Sequence, residues 1–190
     1  MTEAHTAAIQ FLRERRSHPP ATLTLPGPSD AELADLLEMA ARVPDHGKLE
    51  PWRFIVLRGA ALDRIAPQVT AASLAAGNMP EKAEKHGQSF RVPVVVAVVF
   101  APVESDKIPE WEQYLSAGAV CLGLVNAALA SGFGASWLTG VATADAFARK
   151  NLGLGDTEKV VGFIHMGSRG ATTPPERPRP DIAAKTTFLE

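Results

Sequence analysis

Val92-Pro93-Val94-Val95-Val96-Ala97-Val98-Val99-Phe100 is an almost unbroken run of valines with no polar residue in it. A strand wetted on one face alternates apolar with polar residues. This one does not, which predicts a central strand covered by other layers on both faces. With 190 residues, 46% of them hydrophobic, the chain can supply one core of that kind and is too short for two comfortable ones.

The other elements are read around that strand. Apolar residues at helical spacing, Ala8, Ile9 and Leu12, open a helix that ends in Arg15-Arg16-Ser17, just before His18-Pro19-Pro20 stops it. Ser29-Asp30-Ala31-Glu32 is a capping-box pattern, and Leu33, Leu36, Leu37 and Ala40 then mark one face of a second helix, broken by Pro44-Asp45-His46-Gly47. Further helices are predicted over Ala61 to Ala76, Glu110 to Ala130 and about Ala144 to Leu152. Further strands are predicted over Phe54 to Leu57, from Gly134 through Trp137, and over Val160 to Ile164. Helices interleaved with about four strands, in no regular two-by-two rhythm, give an α+β layered domain rather than a doubly wound one. One domain over 1–190 is expected. Its tail, from about residue 171, carries Pro and Arg from Thr172 to Arg179 and extends over a surface, a partner's included. The small residues Ala117, Gly118, Gly123, Ala127 and Ala128 let another backbone come close, and with the tail they predict a homodimer.

The formal net charge of −2, from 19 basic and 21 acidic residues with no block of like charges, argues against nucleic acid or an anionic membrane as partner. No stretch reads as a signal core or as the length of a membrane span, so a cytoplasmic protein is expected. Cys121, the lone cysteine, has flanks that predict a buried small hydrophobe rather than a reactive thiol.

Three motifs could carry chemistry. Arg15-Arg16-Ser17 offers guanidinium forks and a hydroxyl suited to a terminal phosphate dianion, yet paired arginines at a helix C-terminus are also favoured by the macrodipole alone. Arg42-Val43-Pro44-Asp45-His46-Gly47, before Lys48-Leu49-Glu50-Pro51-Trp52-Arg53-Phe54, is either a functional loop held by its scaffold or a capped helix end with a solvated histidine. His46 has no second ligand at metal-binding spacing, so no zinc site is expected, and Trp52 before a strand reads as core rather than cofactor box. Gly132-Phe133-Gly134-Ala135-Ser136-Trp137-Leu138-Thr139-Gly140 would let a backbone approach a flat ligand, and a plain helix-to-strand turn explains its glycines equally well. Neither a Gly-x-Gly-x-x-Gly nor a Walker-type cradle is present, so side chains must hold any phosphate, and no Gly-x-Ser-x-Gly elbow supports a serine hydrolase.

In this order, with Ile108-Pro109-Glu110-Trp111-Glu112-Gln113, Ser116-Ala117-Gly118 and Lys159-Val160-Val161-Gly162-Phe163 added, the motifs resemble the nitroreductase superfamily from about Arg13 to Gly167, and especially its small bacterial branch. The resemblance implies a central, mostly antiparallel sheet of about four to five strands flanked by helices, with FMN at the dimer interface. It also implies hydride transfer from NAD(P)H through flavin N5 to an electron-poor acceptor, nitroaromatic, quinone or similar, by ping-pong kinetics. Arg15, Arg16 and Ser17 would hold phosphate and ribityl groups, Arg42 and His46 would reach the flavin from the other subunit, and Trp137, Leu138 and Thr139 would line the ring. Nicotinamide contact would fall over Ala127, Ala128, Leu129, Ala130, Ser131 and Gly132. The flavin carries the chemistry, so no catalytic side chain and no metal is implied. Two departures concern charge at the ring: Glu50 stands where relatives usually place an amide, and Leu138 where some have Arg or Lys. Two rivals differ in class: a homodimer that stores or senses FMN without turnover, and an interaction module whose arginines are only helix ends.

Overall fold

The computed structural model describes residues 3–189. The valine run forms β3 (Val94–Phe100), every residue of it buried, and Pro93 marks its start. On one side it pairs antiparallel with β2 (Trp52–Arg58), on the other with β5 (Lys159–Arg169). The far edge of β5 is shared by β4 (Gly134–Leu138) and the two-residue β1 (Leu23–Thr24), also antiparallel. The result is an antiparallel five-stranded sheet in an α+β fold, within the expected range.

Side chains alternate across this sheet into two cores. Val94, Val96, Val98, Ile164 and Met166 face α5 (Glu110–Ala130) and α2 (Asp30–Ala40). Val95, Ala97, Val99 and Phe163 face α3 (Ala60–Ala75) and α6 (Asp145–Leu152). The capping box forms at α2: the Ser29 hydroxyl accepts from the Glu32 backbone N–H while the Glu32 carboxylate accepts from the Ser29 backbone N–H. Cys121 lies in the first core, and burial pushes its thiol pKa up to about 12, so it is no nucleophile at ordinary pH.

The structure corrects four expectations. The first helix, α1 (Thr6–Glu14), ends before the arginines, and Arg15 already has extended backbone. A helix absent from the sequence reading, α4 (Pro80–Gln88), starts with proline in its first turn and packs on α3. Although no membrane-length stretch was expected, α5 is long and apolar enough for one by length and composition, but most of it is covered by the sheet and α2. Its small residues serve the chain itself: a Cβ on Gly123 would lie 2.9 Å from the Ala40 carbonyl oxygen, and Ala117 and Ala128 are fully enclosed.

His165 faces the second core, wholly buried, with its Nε2 unpartnered and its ring edge-on to Phe90. Burial lowers its pKa to about 4, against a slight upward pull from the Phe163 carbonyl. The folded state therefore cannot take the proton that the unfolded chain takes up below about 6.5. Its share of stability is complete above that pH and is lost as pH falls towards 4, by about 3 kcal/mol over the window. In urea denaturation from pH 8 to 4.5, His165→Gln is expected to lose less stability than wild type. Equal slopes would refute the assignment. Gly123→Ala sets two effects against each other: about 1 kcal/mol of helix propensity gained and about 1–3 kcal/mol lost to overlap with the α2 backbone. Overlap is expected to win, and a raised urea midpoint would contradict the packing.

Candidate functional site

β4 pairs with β5 along one edge only, and the chain after α1 meets its other edge: the His18 N–H donates to the Ala135 carbonyl at 2.8 Å. That bond fixes Arg15, Arg16 and Ser17 beside the end of the sheet. Arg15 and Arg16 line a cleft of about 350 Å³ with Phe11, Glu14, His18, Leu129 and Arg169, and Ser17 stands beside it, in contact with Arg15. Arg15 Nη2 donates to Ser17 Oγ at 3.3 Å, while Arg16 Nη2 donates to the Pro175 carbonyl at 2.7 Å. The Nε atoms of both arginines and His18 Nδ1 are buried without a hydrogen-bond partner, although a Glu176 carboxylate oxygen stands 3.9 Å from Arg16 Nε. Burial, then repulsion from Arg16 and Arg179, hold the Arg15 guanidinium below its ordinary pKa. Burial and the Arg169 charge do the same to His18. Donors left empty among converging positive charges are the surroundings that an anion relieves.

The tail lies on this cleft. Arg179 Nη2 donates to the Arg13 carbonyl at 2.8 Å and pairs with Glu176 at 2.9 Å, so the Pro-rich segment is strapped over its own α1. Arg169 donates to the Leu129 and Phe133 carbonyls, closing the C-terminus of α5. Of the residues read as nicotinamide contacts, Leu129 and Ala130 line the cleft. Ala127 and Ala128 are packed into the core and present little surface, and Ser131 and Gly132 are exposed beyond the helix end.

Trp137, 37% exposed, lies over Gly162, which has no Cβ to hold it away. Leu138 and Thr139 line a second cleft of about 280 Å³ with Lys85, His86, Ser89 and Phe90. Lys85 and His86 escaped the sequence reading because α4 did. They bring basic side chains to a stretch where Leu138 supplies none. The Pro-Glu-Lys opening of α4 was the signal that could have found them. From Ala135 to Thr139 the extended chain covers about 13 Å, so the arginine cleft and this one stand at opposite ends of one strand edge.

Arg42 and His46 are elsewhere. Both are exposed on the loop between α2 and β2, and His46 Nδ1 lies 2.8 Å from a Glu112 carboxylate oxygen in the first turn of α5. The loop is held rigidly: Ser116 Oγ donates to the Pro44 carbonyl and the Glu50 N–H donates to Asp45. Lys48 and Glu50 have left-handed backbone at φ 53 and 48, and so has Gly47, at φ 71, which lies against the Ile108 side chain. Strained conformations of this kind persist only where surrounding contacts impose them, and they gather at ligand sites. From Glu112 to Ala130 the helix rises about 27 Å. One chain therefore does not bring His46 and the arginine cleft to one small ligand.

Comparison with known proteins bears on this geometry. The sequence model of the Nitroreductase family matches residues 12–168. The chain is 33% identical over 162 residues to a protein of Escherichia coli (strain K12) named "Putative NAD(P)H nitroreductase YdjA", covering 85% of this chain and 87% of that one. In fold it is similar to a nitroreductase-like family protein from Bacillus cereus, with TM-score 0.81 and 22% identity over the whole of both chains. It is also similar in fold to a nitroreductase with bound FMN from Bacteroides fragilis NCTC 9343, with TM-score 0.75 and 19% identity over 96% of this chain and 98% of that one. The family model covers most of the sequence, including Arg15, Arg16 and the His46 loop, and the chain belongs to the Nitroreductase family.

Proposed function

We propose that this chain is an FMN-dependent NAD(P)H oxidoreductase, a cytoplasmic homodimer that passes two electrons from a nicotinamide to a nitroaromatic, quinone or similar electron-poor acceptor. The observation that carries the proposal is the pair of buried Nε atoms on Arg15 and Arg16 that make no hydrogen bond, in a cleft where Arg15, Arg16 and Arg169 outnumber Glu14. The names of the relatives agree with it, since the Escherichia coli protein is named for NAD(P)H and nitro reduction and the Bacteroides fragilis one binds FMN.

FMN, when bound, would supply the two-electron hydride chemistry between nicotinamide and acceptor. The residues of this chain bind and orient. Arg15, Arg16 and Ser17 hold the phosphate by charge-assisted hydrogen bonds, and the His18 N–H keeps them in register with β4. Trp137, Leu138 and Thr139 line the ring, and Lys85 places positive charge near them. Ser17 and the arginines fit a monophosphate, and with no dinucleotide turn in the sequence they favour FMN over FAD.

The 27 Å between the cleft and His46 supports a site made by two chains. So does an exposed apolar stripe on α5: Trp111 at 62%, Leu115 at 63% and Leu122 at 49% follow one another with Gly118 at helical spacing. A second copy laid antiparallel with its two-fold axis near Leu122, at the far end of that stripe, brings the His46 end of one helix to the cleft end of the other. Leu115→Glu with Leu122→Glu is expected to give a monomer by light scattering and to lose FMN with the partner. A dimer that persists would remove this interface.

Purified protein is expected to be yellow and to bleach with NADPH without oxygen. Colour without bleaching would leave an FMN store in place of an enzyme. Arg15→Ala is expected to weaken FMN by at least about tenfold and to narrow the preference for FMN over riboflavin, which lacks the phosphate. Fluorescence titration measures both affinities. Arg16→Ala should behave alike while also freeing the tail from its Pro175 contact. An unchanged ratio in both variants would end the phosphate assignment.

A further inference from the structure

We infer that Glu112 is a positioning residue for His46: its carboxylate takes the Nδ1–H of the ring and so fixes Nε2 as the nitrogen offered to the flavin site of a second copy. The inference rests on the FMN and homodimer reading above, but its first step belongs to this chain alone.

The geometry is direct. Glu112 Oε2 lies 2.8 Å from His46 Nδ1, and an ionised carboxylate can only accept. A neutral ring must then carry its proton on Nδ1, whereas an imidazole free in water prefers Nε2. The other nitrogen is left with its lone pair pointing away from α5, on a side chain 65% exposed. A histidine that merely capped a helix end would have no need of such an anchor. Here the loop that carries it is pinned by Ser116 and Asp45 and bent through left-handed Lys48 and Glu50, so backbone and ring are both fixed. The exposed Trp111 and Leu115 stand on the same turns of α5 as Glu112, placing the free nitrogen beside the face proposed to receive a second copy. Glu112 touches no ligand in this arrangement. It acts through His46, as a second partner that sets tautomer and orientation.

Nitrogen-15 NMR of the apo protein reads the tautomer. Wild-type His46 is expected in the Nδ1–H form, Glu112→Gln to keep much of it through its amide oxygen, and Glu112→Ala to return to the Nε2–H form. A wild-type ring in the Nε2–H form, or no change in Glu112→Ala, overturns the inference whatever the flavin does. FMN titration then tests the consequence. His46→Ala and Glu112→Ala are each expected to weaken FMN by about fivefold, the worth of one ordinary hydrogen bond. The double variant is expected to be no weaker than His46→Ala alone, because the two residues act as one. Multiplied losses would make Glu112 a plain structural tether and overturn the positioning role. A changed tautomer with unchanged affinity in all three variants would overturn the placement of His46 at the flavin, while leaving the Arg15 and Arg16 assignment to its own riboflavin test.

Discussion

A strand with no wet face dictates the plan of this protein. Because β3 is buried on both sides, helices must cover both, and the interior of the sheet has no room for a ligand. What is left for binding is the perimeter. There β4 offers an edge that no other strand fills, and the extended chain after α1 hydrogen bonds to it at Ala135. The arginine cleft is thus a by-product of sheet completion: the hydrogen bond that satisfies an edge carbonyl also sets two arginines side by side.

That placement costs energy. Two guanidinium groups near each other, with Arg169 and Arg179 close by, repel, and each buried nitrogen without a partner adds a penalty of about 1–3 kcal/mol. The chain offsets part of this from its own tail, where Pro175 lends a carbonyl to Arg16 and Glu176 a carboxylate to Arg179. These are exposed contacts of modest worth: Glu176 also stands 3.9 Å from Arg16 Nε, too far for a hydrogen bond, and Arg15 Nε has no hydrogen bond at all. A fold that keeps such a cluster gains from it only when an anion arrives, so stability and function draw on the same electrostatics with opposite signs.

Much of this was legible because it rests on local pattern. The valine run, the capping box at Ser29 and the apolar face of α2 state their structures in adjacent residues, and the three motifs mark the loops where the candidate site lies. Other parts were not legible, for physical reasons. β5 runs on to Arg169, well past Ile164, through His165, Gly167 and Ser168, residues that signal a strand poorly and are held there by β4 and β1. The helix α4 is mostly polar and is recruited by packing on α3, so Lys85 and His86 could not be placed near Leu138 from sequence. The small residues of α5 were legible as a close approach, but not as an approach to Ala40 of the same chain. The Glu112–His46 pair joins residues 66 apart, and no spacing rule foretells it.

The same helix explains why His46 and its loop are missing from the cleft of one chain. α5 carries the Glu112 anchor of His46 at one end and Leu129 and Ala130 of the cleft at the other, about 27 Å apart on a rigid rod. No side-chain motion closes such a gap, and the buried face of α5 cannot slide without opening the core. A two-fold axis across the rod does close it, since an isologous contact between antiparallel copies sets each end against the opposite end of its partner. The exposed stripe of Trp111, Leu115 and Leu122 lies along the length that this contact would cover. On this geometry the proposed dimer would do more than add stability: two incomplete half-sites per chain would become two complete sites per pair, each assembled only when folding and association had both occurred.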